Sequence, residues 1–141
     1  MIRPATSADA AAIAGLLAEL GHPAAGDLVS QRLSALDADP RSRVLVAERG
    51  GAVVGLATLE LVPVLHEAGA WCRVTALVVS AAARGGGVGA DLLAEAEAVA
   101  RAAGCSRVEA TSARDRADAH AFYRSLGYES VSAHFLKRLP S

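Results

Sequence analysis

The sequence predicts a mixed α/β domain in which an antiparallel meander is followed by βαβ units. Three observations carry this prediction. Segments with helical spacing of apolar residues alternate with short apolar runs, in the order β-α-α-β-β-β-α-β-α-β. Gly50-Gly51 sits between two of the early runs as a hairpin signal. A glycine run, Arg84-Gly85-Gly86-Gly87-Val88-Gly89-Ala90, separates the apolar stretch Val74 to Val79 from an alanine- and leucine-rich helix. The 141 residues suit one domain, 1–141, with a core that needs no staples.

Taken in order, Ile2-Arg3-Pro4-Ala5 is a short strand. Pro4 cannot donate to a ladder, so the strand lies at an edge or begins one. Thr6-Ser7-Ala8-Asp9 offers helix-cap chemistry, and Ile13, Leu16, Leu17 and Leu20 recur at helical spacing until Gly21-His22-Pro23 stops them. Asp27 opens a second helix with Leu28, Leu33 and Leu36 on one side. These helices either wall a substrate pocket or simply cover the sheet. Ser42 to Glu48 is a strand. Ala52 to Val62 is its partner, apolar on both parities and therefore central and covered on both faces. Pro63 to Ala70 is a loop carrying His66 and Glu67, and Trp71 to Val79 is the next strand. Gly87 to Ala103 is a helix ended by Gly104, and Arg107 to Thr111 a strand. Ala117 to Leu126 is a helix closed by Gly127, and Tyr128 to Leu139 holds one or two last strands.

Composition narrows the function classes. A net charge of -1 provides no basic field for nucleic acid or an anionic membrane. No apolar run reaches the ~18 residues needed to span a bilayer. Met1 to Ala5 lacks a secretory layout, and the two cysteines, Cys72 and Cys105, form neither a disulfide framework nor a metal-ligand pattern. The expectation is a cytoplasmic protein without a metal. Its apolar helix faces or C-terminal strands leave a homodimer open.

Four glycines within Gly85–Gly89 add nothing to a core. Their use is a bare backbone that turns tightly and lets a ligand approach. A helix starting inside the run points its first free N–H groups and its dipole at that ligand, an arrangement that holds phosphate. A nucleotide phosphate loop needs a Lys after the glycines, and none follows. A dinucleotide fingerprint is met by Gly85, Gly87 and Ala90, with Glu109 placed to hold a ribose. Against it stand the late position of the unit, the meander before it and the short remaining chain.

Val74-x-x-Leu77-x-Val79 followed by Arg84-Gly85-Gly86-Gly87-Val88-Gly89 resembles the acetyl-CoA-binding motif of the GNAT (GCN5-related N-acetyltransferase) family. The block Ala119-His120-Ala121-Phe122-Tyr123-Arg124-Ser125-Leu126-Gly127-Tyr128 is similar to that family's second motif. The resemblance covers almost the whole chain. It implies the GNAT (acyl-CoA N-acyltransferase) fold, an α/β fold with a mixed, mostly antiparallel sheet of about six to seven strands flanked by about four helices. It also implies acetyl transfer from acetyl-CoA to a primary amine of a small-molecule or peptide acceptor. A module of the same fold that senses acyl-CoA without turnover is the alternative, and a dinucleotide-binding protein a more distant one.

The implied donor site is specific. N–H groups from Gly85, Gly86, Gly87, Val88, Gly89 and Ala90 would hold the pyrophosphate, with Arg84 adding a charge-assisted contact. Backbone groups of Leu77, Val78 and Val79 would pair with the pantetheine arm like an added strand. Tyr123 would lie near the CoA sulfur and act as general acid, its bland alternative being an aromatic packed on the sheet. His120 lies one helical turn before it. Glu60, the charge well inside an apolar strand, is the candidate base, with Glu67 and His66 as loop alternatives; its own alternative is a charge at a strand edge. Two positions depart from the family pattern. Ala81 stands where Pro is frequent, and Arg116 where many members have an Asn that contacts the cofactor arm. Arg116 is therefore a cofactor-binding candidate by position alone.

Overall fold

The computed structural model describes residues 1–111, 117–131 and 135–140. They fall into two units, Met1–Thr111 and Ser112–Ser141, which are described separately.

The first unit holds strands β1 (Ile2–Pro4), β2 (Ser42–Arg49), β3 (Ala52–Pro63), β4 (Ala70–Val79) and β5 (Cys105–Ala110), and helices α1 (Ala10–Leu20), α2 (Gly26–Asp37) and α3 (Val88–Ala102). The sheet order is β1-β2-β3-β4-β5. All neighbours are antiparallel except β4 and β5, which run parallel on either side of α3. This is the predicted meander followed by a βαβ unit. It is not the doubly wound parallel sheet of a dinucleotide-binding fold.

Local chemistry explains each join. Pro4 sits on an edge strand, as its missing donor requires. Gly50 and Gly51 both take positive φ, 58° and 80°, the geometry of a hairpin turn matched to strand twist. α1 begins after a turn in which the Asp9 carboxylate accepts from the Thr6 N–H at 2.8 Å. Arg3 grips the same carboxylate with two nitrogens, at 2.8 and 2.9 Å, and holds its pKa down to about 2. α2 starts at Gly26; Val29 and Leu33, four residues apart on one face, pack inward and Leu28 is exposed, contrary to the side expected for Leu28.

The sheet is covered on both faces. Ile13 and Leu16 of α1 and Val29 of α2 pack on Val46, Leu56 and Val78. On the other face lie Val88, Leu92, Leu93, Ala96 and Ala100 of α3, all buried. Each fully buried Leu, such as Leu56 or Leu92, contributes roughly 1.5–3 kcal/mol of transfer free energy. β3 is central, with Gly55, Leu56, Ala57 and Leu59 buried on both parities.

The second unit contains α4 (Ala117–Ser125). Among the described residues the sheet has five strands rather than six to seven. The described parts of Tyr128–Leu139 carry no strand. Val131, Phe135, Leu136 and Leu139 are exposed.

Candidate functional site

The donor-side residues converge at the far end of β4. The β4–β5 ladder ends at Val74↔Ala110, while the β3–β4 ladder continues from Thr58↔Ala76 to Gly55↔Val79. The register shifts between Thr58 and Leu59, which leaves Thr75 as the extra residue of a bulge. From Thr75 onward, β4 is therefore paired on one side only within this unit.

The hydrogen-bond phase says which groups are free. Ser80 N–H donates to Val54 O at 2.8 Å. Antiparallel pairs alternate, so the groups of Val78 and Ala76 point at β3 and those of Leu77 and Val79 point away from it. The backbone donors and acceptors of Leu77 and Val79 thus lie on the side of β4 that β5 does not reach. Val78 instead contributes a buried side chain to the α1–α2 core.

The chain then turns through Ala81–Ala83 into the glycine run. Gly85 and Gly87 both have φ of 82°, and nothing lies within 4 Å of where their Cβ atoms would be. Gly87 caps α3, and Asp91 N–H is bonded to Gly87 O at 3.0 Å. The N–H groups of Val88, Gly89 and Ala90 precede that bond and have no acceptor within the helix. Val88 and Gly89 are buried, which fixes the start of the helix. This end packs on β3 where Gly55 has no side chain; a Cβ there would lie 2.7 Å from Val88 Cγ1 and 3.0 Å from Leu92 Cδ1. An anion such as a pyrophosphate fits this turn, in charge and in the bare backbone offered to it.

The other candidates fall elsewhere. Arg84 is exposed and, among the described residues, makes no ion pair. Glu60 lies opposite Ser42 and Arg73, accepts from Ser42 Oγ at 2.8 Å and is half-buried. It is three residues along β3 from Ala57, the partner of Leu77, or about 10 Å. Glu67 belongs to the other end of β4. It accepts from Trp71 Nε1 and Ser106 Oγ, both at 2.8 Å, and these bonds lower its pKa. Cys72 is buried, and burial pushes its thiol up to about 11, so it is an inert core residue; Cys105 is half-buried and its thiol is also raised by burial. Arg116 lies outside the described residues. Among the described residues no group of three or more His, Cys, Asp or Glu could hold a metal ion.

In the second unit the Phe-Tyr block is a helix end. Tyr128 N–H bonds Tyr123 O at 3.0 Å and Gly127 N–H bonds Arg124 O at 3.0 Å, with Gly127 at φ 90°. That is a Schellman cap, and its usual apolar contact is the ring pair Tyr123–Tyr128 at 5.7 Å. Phe122 lies edge-on to Tyr123 at 5.3 Å. Tyr123 is therefore held between two rings, and burial raises its pKa above the ordinary phenol value.

Four further residues carry contacts at the open end that sequence reasoning missed. Thr58 and Thr75 pair their hydroxyls at 2.6 Å across the bulge. Glu19 of α1 accepts from Ala81 N–H at 2.9 Å. Arg49, at the end of β2, donates to Gly86 O at 2.7 Å. Nothing in sequence spacing brings 49 or 19 to the glycine run; only the hairpin register and the docking of α1 do.

Comparison with known proteins agrees with this geometry. The family described as "Acetyltransferase (GNAT) family" matches residues 13–128. An aminoalkylphosphonate N-acetyltransferase of Salmonella typhimurium is 39% identical over 101 residues, covering 72% of this chain and 66% of that protein, just under two thirds of its length. A solved structure from Agrobacterium tumefaciens is 27% identical, with a TM-score of 0.90 and 99% of each chain covered. An aminoglycoside N-acetyltransferase solved in complex with CoA has a TM-score of 0.86 over 100% of this chain and 95% of its own; at 15% identity it shows the fold alone. The chain belongs to the GNAT acetyltransferase family.

Proposed function

We propose that residues 1–141 act as one N-acetyltransferase domain that moves an acetyl group from acetyl-CoA to a primary amine by direct attack. The observation that carries this is the half-paired β4. Its free Leu77 and Val79 groups lead straight into a glycine turn whose N–H groups suit a pyrophosphate. A family match running across both units supports reading the chain as one domain. A donor made inside cells puts the reaction in the cytoplasm.

Acetyl-CoA supplies the thioester. The residues of this chain bind and orient it through Leu77, Val79, Gly85 to Ala90 and Arg84, and Arg116 is a further cofactor contact by its position in the sequence. Tyr123 protonates the departing sulfur. The raised phenol pKa keeps it protonated throughout the neutral and mildly alkaline range, as a donor must be. Glu60 takes the amine proton through water, because about 10 Å of strand separates it from the open edge. An aminoalkylphosphonate is the first acceptor to try, on the strength of the Salmonella relative.

The test is CoA release with acetyl-CoA and a panel of amines that includes an aminoalkylphosphonate. Tyr123→Phe should lower kcat about 100-fold and leave KM for acetyl-CoA nearly unchanged. In the wild type, the rate should fall only above the raised phenol pKa. An unaltered kcat in Tyr123→Phe across pH removes the acid role. Tight CoA binding without turnover on any amine points instead to a sensing module.

A further inference from the structure

The geometry points to Arg49 as the residue that aims the glycine turn at the donor's diphosphate. This inference rests on the acetyl-CoA reading of that turn. Arg49 ends β2, and its Nη2 donates to Gly86 O at 2.7 Å, a bond spanning 37 positions of sequence. The peptide joining Gly86 to Gly87 is planar and trans, so its C=O and N–H point in opposite directions. Holding the carbonyl on the β2 side turns the Gly87 N–H to the other side. The same contact keeps the Gly86 oxygen, a partial negative charge, turned from an incoming anion.

Two neighbouring facts fit this role. A Cβ on Gly86 would lie 2.7 Å from Arg49 Nη1 and 3.3 Å from Ala83 O. Gly86 is not at positive φ, unlike Gly85 and Gly87, and a Cβ there would have to displace the guanidinium tip. Asp91, in the first turn of α3, lies 3.9 Å from Arg49 Nη2. Arg49 thus also offsets a carboxylate charge beside the anion site. Arg49 is a positioning residue: it acts on the diphosphate through the backbone.

The experiment measures dissociation constants of wild type, Arg49→Ala, Gly86→Ala and the double variant for two ligands, CoA and S-acetylpantetheine, which lacks the diphosphate. Arg49→Ala should weaken CoA about tenfold, the scale of one charge-assisted hydrogen bond, and leave S-acetylpantetheine unchanged. Gly86→Ala should weaken CoA similarly by displacing the guanidinium, and the two losses should not add in the double variant. Equal weakening of both ligands, additive losses, or wild-type CoA affinity in Arg49→Ala would each overturn the proposal. If the wild type binds no CoA, the donor reading itself fails. Amide exchange in the ligand-free protein then still decides the role of Arg49: faster exchange at Gly87 in Arg49→Ala supports its grip on the turn, and unchanged exchange overturns it.

Discussion

From Ala70 to Val74, β4 is paired on both sides, to β3 and to β5. From Ala76 to Val79 it is paired to β3 alone within the first unit. The first half is also tied together by side chains. Arg107 lies 3.3 Å from the Trp71 ring centre, Glu67 accepts from Trp71 and Ser106, and Arg73 meets Glu109 at 3.3 Å. The second half follows a bulge at Thr75, has no β5 partner and leads on to the glycine run. One strand thus has a fastened edge and an edge that β5 leaves unpaired. The difference lies in where the parallel partner stops. A ligand can use strand-type hydrogen bonds only where the fold withholds its own.

The largest break of this contrast is at Gly55. A Cβ there would lie 2.7 Å from Val88 Cγ1, 3.0 Å from Leu92 Cδ1 and 3.3 Å from Ala47 Cβ, and a Val adds two methyls to that crowding. Val88 is β-branched and cannot swing away cheaply. Gly55→Val should cost about 3 kcal/mol in urea unfolding and abolish CoA binding by shifting the start of α3. Wild-type stability with intact binding would show that this contact does not set the turn.

Acid separates the halves in another way. Asp9 anchors the start of α1, the helix whose Glu19 reaches Ala81 beyond the open end. Its carboxyl is depressed from 3.8 to about 2, first through the Arg3 hydrogen bonds. A depressed acid contributes stability that is present above the unfolded pKa and lost as pH falls through the folded one. About 2 kcal/mol should therefore disappear between pH ~4 and ~2. In Asp9→Asn that acid-dependent loss should be absent, and stability at pH 7 should be lower by a similar amount. A wild-type stability curve flat over that window would contradict the assignment.

The fastened half should tolerate more. Arg107→Ala removes one exposed cation–π contact and one ion pair to Glu109 at 3.5 Å. The expected loss is about 0.5–1 kcal/mol with CoA affinity unchanged, measured by urea titration and calorimetry. A change in CoA affinity would mean that the two halves are coupled.

How legible this was depends on the range of each signal. The Gly50-Gly51 hairpin and the α3 boundary could be read because glycine at positive φ and apolar period are local properties. The donor motif was readable because its turn, helix start and preceding strand are contiguous. Gly55 was not: a glycine inside a strand indicates close approach but does not say what approaches. The Thr75 bulge depends on register, which no single strand carries. Glu60 was visible as a charge on an apolar strand, yet its distance from the open edge depends on that same register. Leu28 was misplaced because Val29, Leu33 and Leu36 share one helix face at i, i+4 and i+7, and Leu28 lies about 100° round from Val29. The last strands were inferred from residue type alone, and among the described residues of that stretch none is in a strand.

The smallest expected effect concerns position 81, where the family pattern often has Pro. Here the Ala81 N–H donates to Glu19 Oε1 at 2.9 Å, a bond that Pro cannot make. Ser80 is extended, with ψ of 147°, and Ala81 opens a 3-10 turn, so the backbone would accept Pro without strain. Ala81→Pro removes an exposed hydrogen bond of about 1 kcal/mol and gains about 0.4–1 kcal/mol by stiffening the unfolded chain. Net stability should therefore stay within about 0.5 kcal/mol of wild type. The sharper readout is a double variant. Glu19→Gln should lower stability slightly in the Ala81 protein and leave it unchanged in Ala81→Pro, because the bond to α1 is already gone. If Glu19→Gln costs the same in both backgrounds, Glu19 acts through some other contact. The tie between α1 and the open half of β4 would then be the packing of Val78 with Ile13 and Leu16 rather than this hydrogen bond.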